Sequence, residues 1–380
     1  MLHAPCHRIL MYLRSIIHER VMWEIHSSEK IRIKDIAERS GVSVGTVDRV
    51  LHDRPNVSKK AKAKVDAVLK EINYQPNSYA SALAYNRKYT FCCLLPAHSC
   101  NAYWTEVEKG LRQCVLNRGD FHLSLFTEYY DQFDESSFSE AAEKLWEKQP
   151  DGMVVVPQNL EATRTLCAKL QETAVPFVFL DSNIPEICPL SFFGQDSLKS
   201  GHFAGRIFMM QAGEATRRIL LMKLMSKGRV ASRQQENREV GFRSYMAAQH
   251  PTCEIVELPL QIGEEERYDA QIGEMLSQLP DIRHCITFSS RAHILGEYFL
   301  RHGLKDFHLF GYDMIERNME CLKQGTIDFL VAQHPWKQGY NSVKALFNHI
   351  VLRKAVQQYH YMPLELLTAE NYMYYIADEK

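Results

Sequence analysis

From Tyr89 onward, short apolar runs alternate with longer stretches patterned as helices, and this rhythm limits the fold more than any other feature. FCCLL, FHLSLF, GMVVV and FVFLD are followed in the same manner by RRILLMK, CITF and FHLFGYD. Strands apolar along their whole length, alternating with helices, build parallel sheets covered on both faces. In such sheets ligands lie beyond the carboxyl ends of the strands, so the residues just after each run are the candidates for chemistry.

The chain upstream has a different texture and the opposite charge. Of the 380 residues, Lys30 to Lys88 carry 13 Lys/Arg against 6 Asp/Glu, whereas residues 89–380 carry 29 against 37. The overall formal charge of −1 conceals a small basic segment attached to an acidic body. That asymmetry points to a polyanion-binding module on a carrier domain. No apolar run approaches the ~18 residues of a membrane span. The ten cysteines form no CxxC pair and no zinc-ligand spacing; their scatter fits a reducing cytoplasm, with adjacent Cys92 and Cys93 inside a core strand. There is no HExxH among the 16 histidines, no GxSxG elbow, no Walker A loop and no GxGxxG after a strand. Neither an enzyme nor a cofactor is therefore expected. Residues 1–29 carry Ile9, Leu10, Leu13, Ile16, Ile17 and Val21 at helical spacing, either as an amphipathic docking helix or as an extension ahead of a start at Met22.

Within the basic segment, Ile33, Ile36 and Ala37 mark the inner stripe of a helix ending near Ser40. Gly41 supplies the backbone freedom of a tight corner, and Ser43 is placed to cap the next helix. That helix buries Val47, Val50 and Leu51 and leaves Val44, Gly45, Thr46, Asp48 and Arg49 outside. Ser58 caps a third helix with Val65, Val68, Leu69 and Ile72 on one face. Together these make a helix-turn-helix module, whose second helix fits the DNA major groove. Arg49 is suited to a bidentate contact with guanine, and Thr46 or His52 to a phosphate or base. Asp48 would repel phosphates; it either accepts from a cytosine amine or orients Arg49.

The segments IKDIAERSGVSVGTVDRVL and VSKKAKAKVDAVLKEINYQPN, followed by ASALA, resemble the lactose-repressor/galactose-repressor family of bacterial transcription factors. The resemblance implies a hinge that folds on operator DNA and wedges a leucine into the minor groove, with Leu83 at the leucine position and Asn77 and Ala80 before it. Such a wedge exchanges base stacking for a kink and more contact. Arg32 stands where the family usually has a Thr or Ser cap. Asp48 replaces a small hydroxyl residue, and Val44-Gly45 is a sparse base-reading pair.

The resemblance also implies a two-lobed effector domain shared with periplasmic sugar-binding proteins. Asn101, Tyr103 and Trp104 in NAYW match an aromatic motif that stacks on a sugar ring. Asn159 follows GMVVV, Asp181 ends FLD, Arg238 precedes the Gly-Phe pair, and Asp313 and Gln333 lie in GYDM and VAQHPW. Ser289-Ser290 stands where sugar binders usually have Asn-Asp, and Asn159 stands for a carboxylate; a sugar acid, a sugar phosphate or a less polar effector thus stays open. The expected organisation is an all-α DNA-binding domain at 30–75, a hinge at 76–88 and an α/β body at 89–380. Lobe 1 takes about 89–192 and 334–357, and lobe 2 about 193–333 and 358–380. The expected assembly is a cytoplasmic homodimer on double-stranded operator DNA, controlled by a sugar or sugar derivative. The competing reading is a solute-binding protein of a transport system, which the basic module disfavours.

Overall fold

The computed structural model describes residues 32–51, 54–72, 74, 79, 82–83, 87–98, 102–226, 228–230 and 232–379. The 1–29 extension and the candidates His52, Asn77, Ala80 and Asn101 lie outside these described residues. The chain separates into two units, residues 1–77 and 78–380.

The first unit contains α1 (Ile33–Ser40), α2 (Val44–Leu51) and α3 (Lys59–Glu71). Ile36, Ala37, Val47, Val65 and Val68 form its buried centre, with Ile33, Val50, Leu51, Leu69 and Ile72 packed around it. Gly41 takes a left-handed conformation at φ 62°, which lets Val42 N–H reach back to Ala37 O at 3.2 Å. Arg32 supplies no side-chain cap, but its backbone N–H donates to the Asp35 carboxylate at 2.7 Å, one half of a capping box. Ser43 Oγ accepts from Thr46 N and Ser58 Oγ from Ala61 N, so both expected caps form.

The second unit has two sheets. The first is entirely parallel, in the order β12-β5-β4-β3-β1-β2, from β1 (Tyr89–Pro96), β2 (Leu123–Tyr130), β3 (Gly152–Val155), β4 (Phe177–Asp181), β5 (Ser191–Gly194) and β12 (Tyr359–Tyr361). The second runs β13-β11-β10-β9-β6-β7, with β8 also on β6. Its strands are β6 (Arg218–Ser226), β7 (Arg229–Val230), β8 (Glu254–Gln261), β9 (His284–Thr287), β10 (His308–Tyr312), β11 (Phe329–Ala332) and β13 (Glu365–Leu367). The apolar runs of β1, β3, β4 and β5 are continuous because these strands bury both faces, whereas the edge strand β2 leaves Phe126 and Tyr129 exposed. Phe91, Cys93 and Leu95 enter one core of the first lobe, while Cys92 and Leu94 enter the other. Leu220, Met222 and Leu224 divide from Ile219 and Leu221 in the same way in the second lobe. Each such Leu or Phe contributes roughly 1.5–3 kcal/mol of burial.

Helices α4 (Ala102–Leu116), α5 (Glu135–Trp146), α6 (Leu160–Glu172) and α12 (Pro335–Ile350) belong to lobe 1. Lobe 2 carries α7 (Ser197–Ala212), α8 (Arg233–Gln249), α9 (Tyr268–Gln278), α10 (His293–Arg301), α11 (Glu316–Lys323) and α13 (Tyr372–Glu379). The chain crosses between lobes three times: after β5, after β11 and after β12. The sheet pairing shifts two expected boundaries. Lobe 1 keeps Phe193 and Gly194, and it regains the chain through Tyr361, because Tyr359 pairs with Phe192 and Tyr361 with Gly194. His360 stacks flat on Phe193 at 4.4 Å, which holds β12 at that edge.

Candidate ligand cleft and nucleic-acid interface

The first unit buries Val47 under α1 and α3 and turns the opposite side of α2 outward. Val44, Gly45 and Arg49 are exposed there, Ser43 precedes them, and Thr46 and Asp48 are half-buried. Ser43 Oγ and Thr46 Oγ1 are 2.9 Å apart, so both hydroxyls serve the helix start first. Asp48 pairs with Arg54, Oδ2 to Nη1 at 3.1 Å; the guanidinium it orients belongs to Arg54 rather than Arg49. The pairing offsets the charge that made Asp48 awkward beside phosphates. Leu83, in the second unit, is 45% exposed.

In the second unit a cavity of about 730 Å³ lies between the lobes at the carboxyl ends of the strands. Tyr103, Trp104, Asp181, Arg238, Ser290, Asp313 and Gln333 all line it. Asn159 does not: its side chain caps α6 by accepting from Ala162 N at 2.9 Å, and it borders an adjoining opening. Asp181 and Asp313 end parallel strands with left-handed backbones, φ 67° and 70°. His334, ahead of α12, is left-handed as well, at φ 55°. Conformations that cost of order 1–3 kcal/mol persist where neighbours over-determine them, and here all three cluster at the ends of the cleft strands.

A continuous hydrogen-bonded network joins the two lobes. Tyr103 OH donates to Asp181 Oδ1 at 2.5 Å, and Gln234 Nε2 reaches the Asp181 carbonyl from lobe 2. Arg238 donates through Nη2 to Gln333 Oε1 at 2.5 Å and through Nη1 to Phe288 O at 3.2 Å. Gln333 Nε2 in turn donates to Asp313 Oδ1 at 2.5 Å. The Arg238 guanidinium also lies 4.2 Å from the centroid of the Tyr312 ring, which fixes its plane. Burial pushes the Asp313 carboxyl up to about 6, against the opposing pull of Arg238 and Gln333. Burial likewise raises Asp181, with Tyr103 and Arg238 opposing.

Several buried polar atoms in this wall have no partner among the described residues: Arg238 Nε, Gln234 Oε1 and Gln158 Nε2. An unmade buried hydrogen bond costs about 1–3 kcal/mol, so a ligand offering hydroxyls would recover that loss. Donors and acceptors alternate with the aromatic faces of Tyr103 and Trp104, which suits a polyhydroxylated ring. His98, Gln158, Gln234 and His293 also line the cavity and were not among the expected residues. Gln234 had a signal: it lies four residues before Arg238, on the same face of α8.

Residues 32–77 match the family described as bacterial regulatory proteins, lacI family, and residues 92–354 match the periplasmic binding protein domain. The ribose operon repressor of Escherichia coli (strain K12) is 33% identical over 124 residues, 33% of this chain and 36% of that protein. Catabolite control protein A of Staphylococcus aureus (strain COL) is 29% identical over 153 residues, 40% of this chain and 44% of that one. The chain thus spans less than half the length of these curated relatives. Over 76% of its length it is 43% identical to the whole of a crystal structure assigned to a LacI transcriptional regulator from Bacteroides fragilis, with a TM-score of 0.73. GanP, a glucose-galactose binding protein from Geobacillus stearothermophilus, shares the fold at 20% identity and a TM-score of 0.63, over 75% of this chain and 99% of that one. The chain belongs to the lacI family of bacterial regulatory proteins, with a periplasmic-binding-protein domain as its body.

Proposed function

We propose that this protein is a sequence-specific DNA-binding regulator whose operator affinity is set by a sugar or sugar derivative held between the lobes. The observation that carries the reading is the buried network of Tyr103, Asp181, Arg238, Gln333 and Asp313, with three orphaned polar atoms in the same cavity wall. Six carboxylates line the cavity against four guanidiniums, which favours a neutral polyol over a sugar acid or sugar phosphate. Hydrogen bonding without a nucleophile-base pair is sufficient for binding, and the ribose operon repressor named above is a repressor; catalysis is not part of the proposal. In the basic unit, α2 would enter the major groove with Val44, Gly45, Thr46 and Arg49 toward base edges, and Leu83 with Asn77 and Ala80 would supply the minor-groove wedge. The working form is a cytoplasmic homodimer on a near-palindromic operator.

Two assays test this. Thermal unfolding of the full chain against neutral sugars, sugar acids and sugar phosphates should give a shift with one neutral class. At ~100 times the dissociation constant, a ligand adds roughly 2.7 kcal/mol. A response confined to the acids or phosphates would reverse the charge reading, and a flat panel would remove the sugar. Selection from random duplexes should enrich a two-fold symmetric site. Arg49→Ala should then relax one base position by about 1–3 kcal/mol; no enriched site would count against the regulator itself.

A further inference from the structure

We infer that the effector is a neutral saccharide of at least two rings, with one ring in the cleft and the next beyond Gln158, in the adjoining opening between the same two lobes. The inference rests on the sugar reading above and adds the ligand's length and direction. Size is the first argument. One hexose has the bulk of about six water molecules, on the order of 200 Å³. The cleft holds about 730 Å³, more than a single ring fills, and the adjoining opening holds about 760 Å³. Gln132, Gln158 and Ser232 border both, so the two spaces meet along one seam. Asn159 accounts for the gap in the wall. Its side-chain oxygen is taken by Ala162 N–H at the start of α6, and the residue lines the opening instead of the cleft.

The seam itself is the second argument. Gln158 follows β3 in lobe 1, and its Oε1 accepts from Arg233 N–H at 3.4 Å, at the start of α8 in lobe 2. That contact holds the amide in place and leaves Nε2 as a donor that is buried and without a partner among the described residues. Arg238 Nε and Gln234 Oε1, the other two orphaned atoms, belong to side chains that border the cleft but not the opening. A ring held at Arg238 answers those two. A chain of rings that continues across the seam answers Gln158 as well, and so recovers the remaining unmade hydrogen bond. The opening has the surface a second ring needs. Phe133, packed on the lobe-2 core, and Leu160 and Val230 present apolar area to C–H faces, while Ser226, Asn159 and Asn237 present a hydroxyl and amides. Its charges balance, Arg229 and Arg233 against Glu161 and Glu236, so nothing there calls for an anion.

Calorimetric titration of the full chain, without DNA, separates the outcomes. The probes are glucose, galactose, mannose, arabinose and xylose, each beside the 1,4- and 1,6-linked disaccharides that begin with the same ring. One disaccharide should bind roughly tenfold or more tightly than its own monosaccharide. Gln158→Ala should then cut that disaccharide's affinity by about tenfold and the monosaccharide's by less. Asn237→Ala, across the opening on α8, tests the same step without altering the seam. Melting points of the unliganded variants control for folding. A monosaccharide that binds as tightly as every disaccharide containing it would overturn the second ring and leave the sugar reading standing. Equal losses at both lengths in both variants would overturn the placement beyond Gln158. No response to any probe at either length would overturn this inference together with the sugar reading beneath it.

Discussion

Asp313 and His293 border the same cavity but are burdened by burial in opposite directions. Burial raises the Asp313 carboxyl to about 6 and lowers the His293 imidazole to about 4, the latter with Arg317 adding to the effect. Between pH 4 and 6, folded Asp313 keeps a proton that the unfolded chain has released, so it costs stability as pH rises. His293 refuses a proton that the unfolded chain takes up, so over about pH 4 to 6.5 its contribution gains stability as pH rises. The two slopes oppose each other, each integrating to on the order of 3 kcal/mol. Relative to wild type, Asp313→Asn should therefore make stability climb more steeply with pH in this window. His293→Gln should make it climb less or fall. Denaturant titrations at intervals from pH 4 to 7 read both differences, and parallel curves for either variant would remove that residue from the account.

At the scale of elements, both lobes use the same device to seat a site helix. A Cβ on Gly110 would come within 2.1 Å of Trp336 O, and one on Gly339 within 2.1 Å of Val107 O, so α4 and α12 touch backbone to backbone. Gly201 and Gly241 do the same for α7 and α8, where a Cβ on either would come within 2.0 Å of an opposing carbonyl. These contacts place Tyr103 beside Gln338 and fix Arg238 at the cleft. Helix propensity alone would reward Gly→Ala by about 1 kcal/mol. At Gly339 overpacking, typically about 1–3 kcal/mol and here against backbone that cannot rotate away, should win. Gly339→Ala should lower the melting point and weaken ligand binding. Gly45→Ala in α2 meets only Ser43 Oγ at 3.9 Å and should be neutral or stabilising. The opposite result at either position would show propensity deciding where packing was expected to. Such elements were largely legible: the apolar runs named their strands, Ser43 and Ser58 their caps, and the strand ends held Asp181 and Asp313. β12 was not, since YHY has no apolar run and pairs only because the chain returns to that edge. Asn159 was misleading for a related reason: a residue after a strand is also the start of the next helix, and capping claimed its oxygen. The left-handed turns at Asp181, Asp313 and His334 leave no mark in residue order, because Asp and His tolerate that region without requiring it.

For the whole effector unit, the geometry of the two lobes depends on three strands crossing together, and Gln195 ties them. It lies on the first crossing, and its Nε2 donates to Ala332 O on the second at 2.7 Å and to Pro363 O on the third at 2.8 Å. Its own Oε1 is buried without a partner among the described residues, a cost accepted for holding both carbonyls. The neighbouring Asp196 caps α7, its carboxylate accepting from Lys199 N at 3.0 Å. The tie itself was invisible, because its partners are 137 and 168 residues away. Gln195→Leu preserves bulk and strands two carbonyls, each worth about 1–3 kcal/mol when left unmade. The variant should melt lower, and because the lost bonds lie between lobes rather than within one, small-angle scattering should show a wider range of lobe separations. Lower melting with unchanged scattering would make Gln195 a local core residue. A variant that matches wild type in both would mean that the three strands keep their alignment through sheet pairing alone, with the lobes hinging wherever β5, β11 and β12 end.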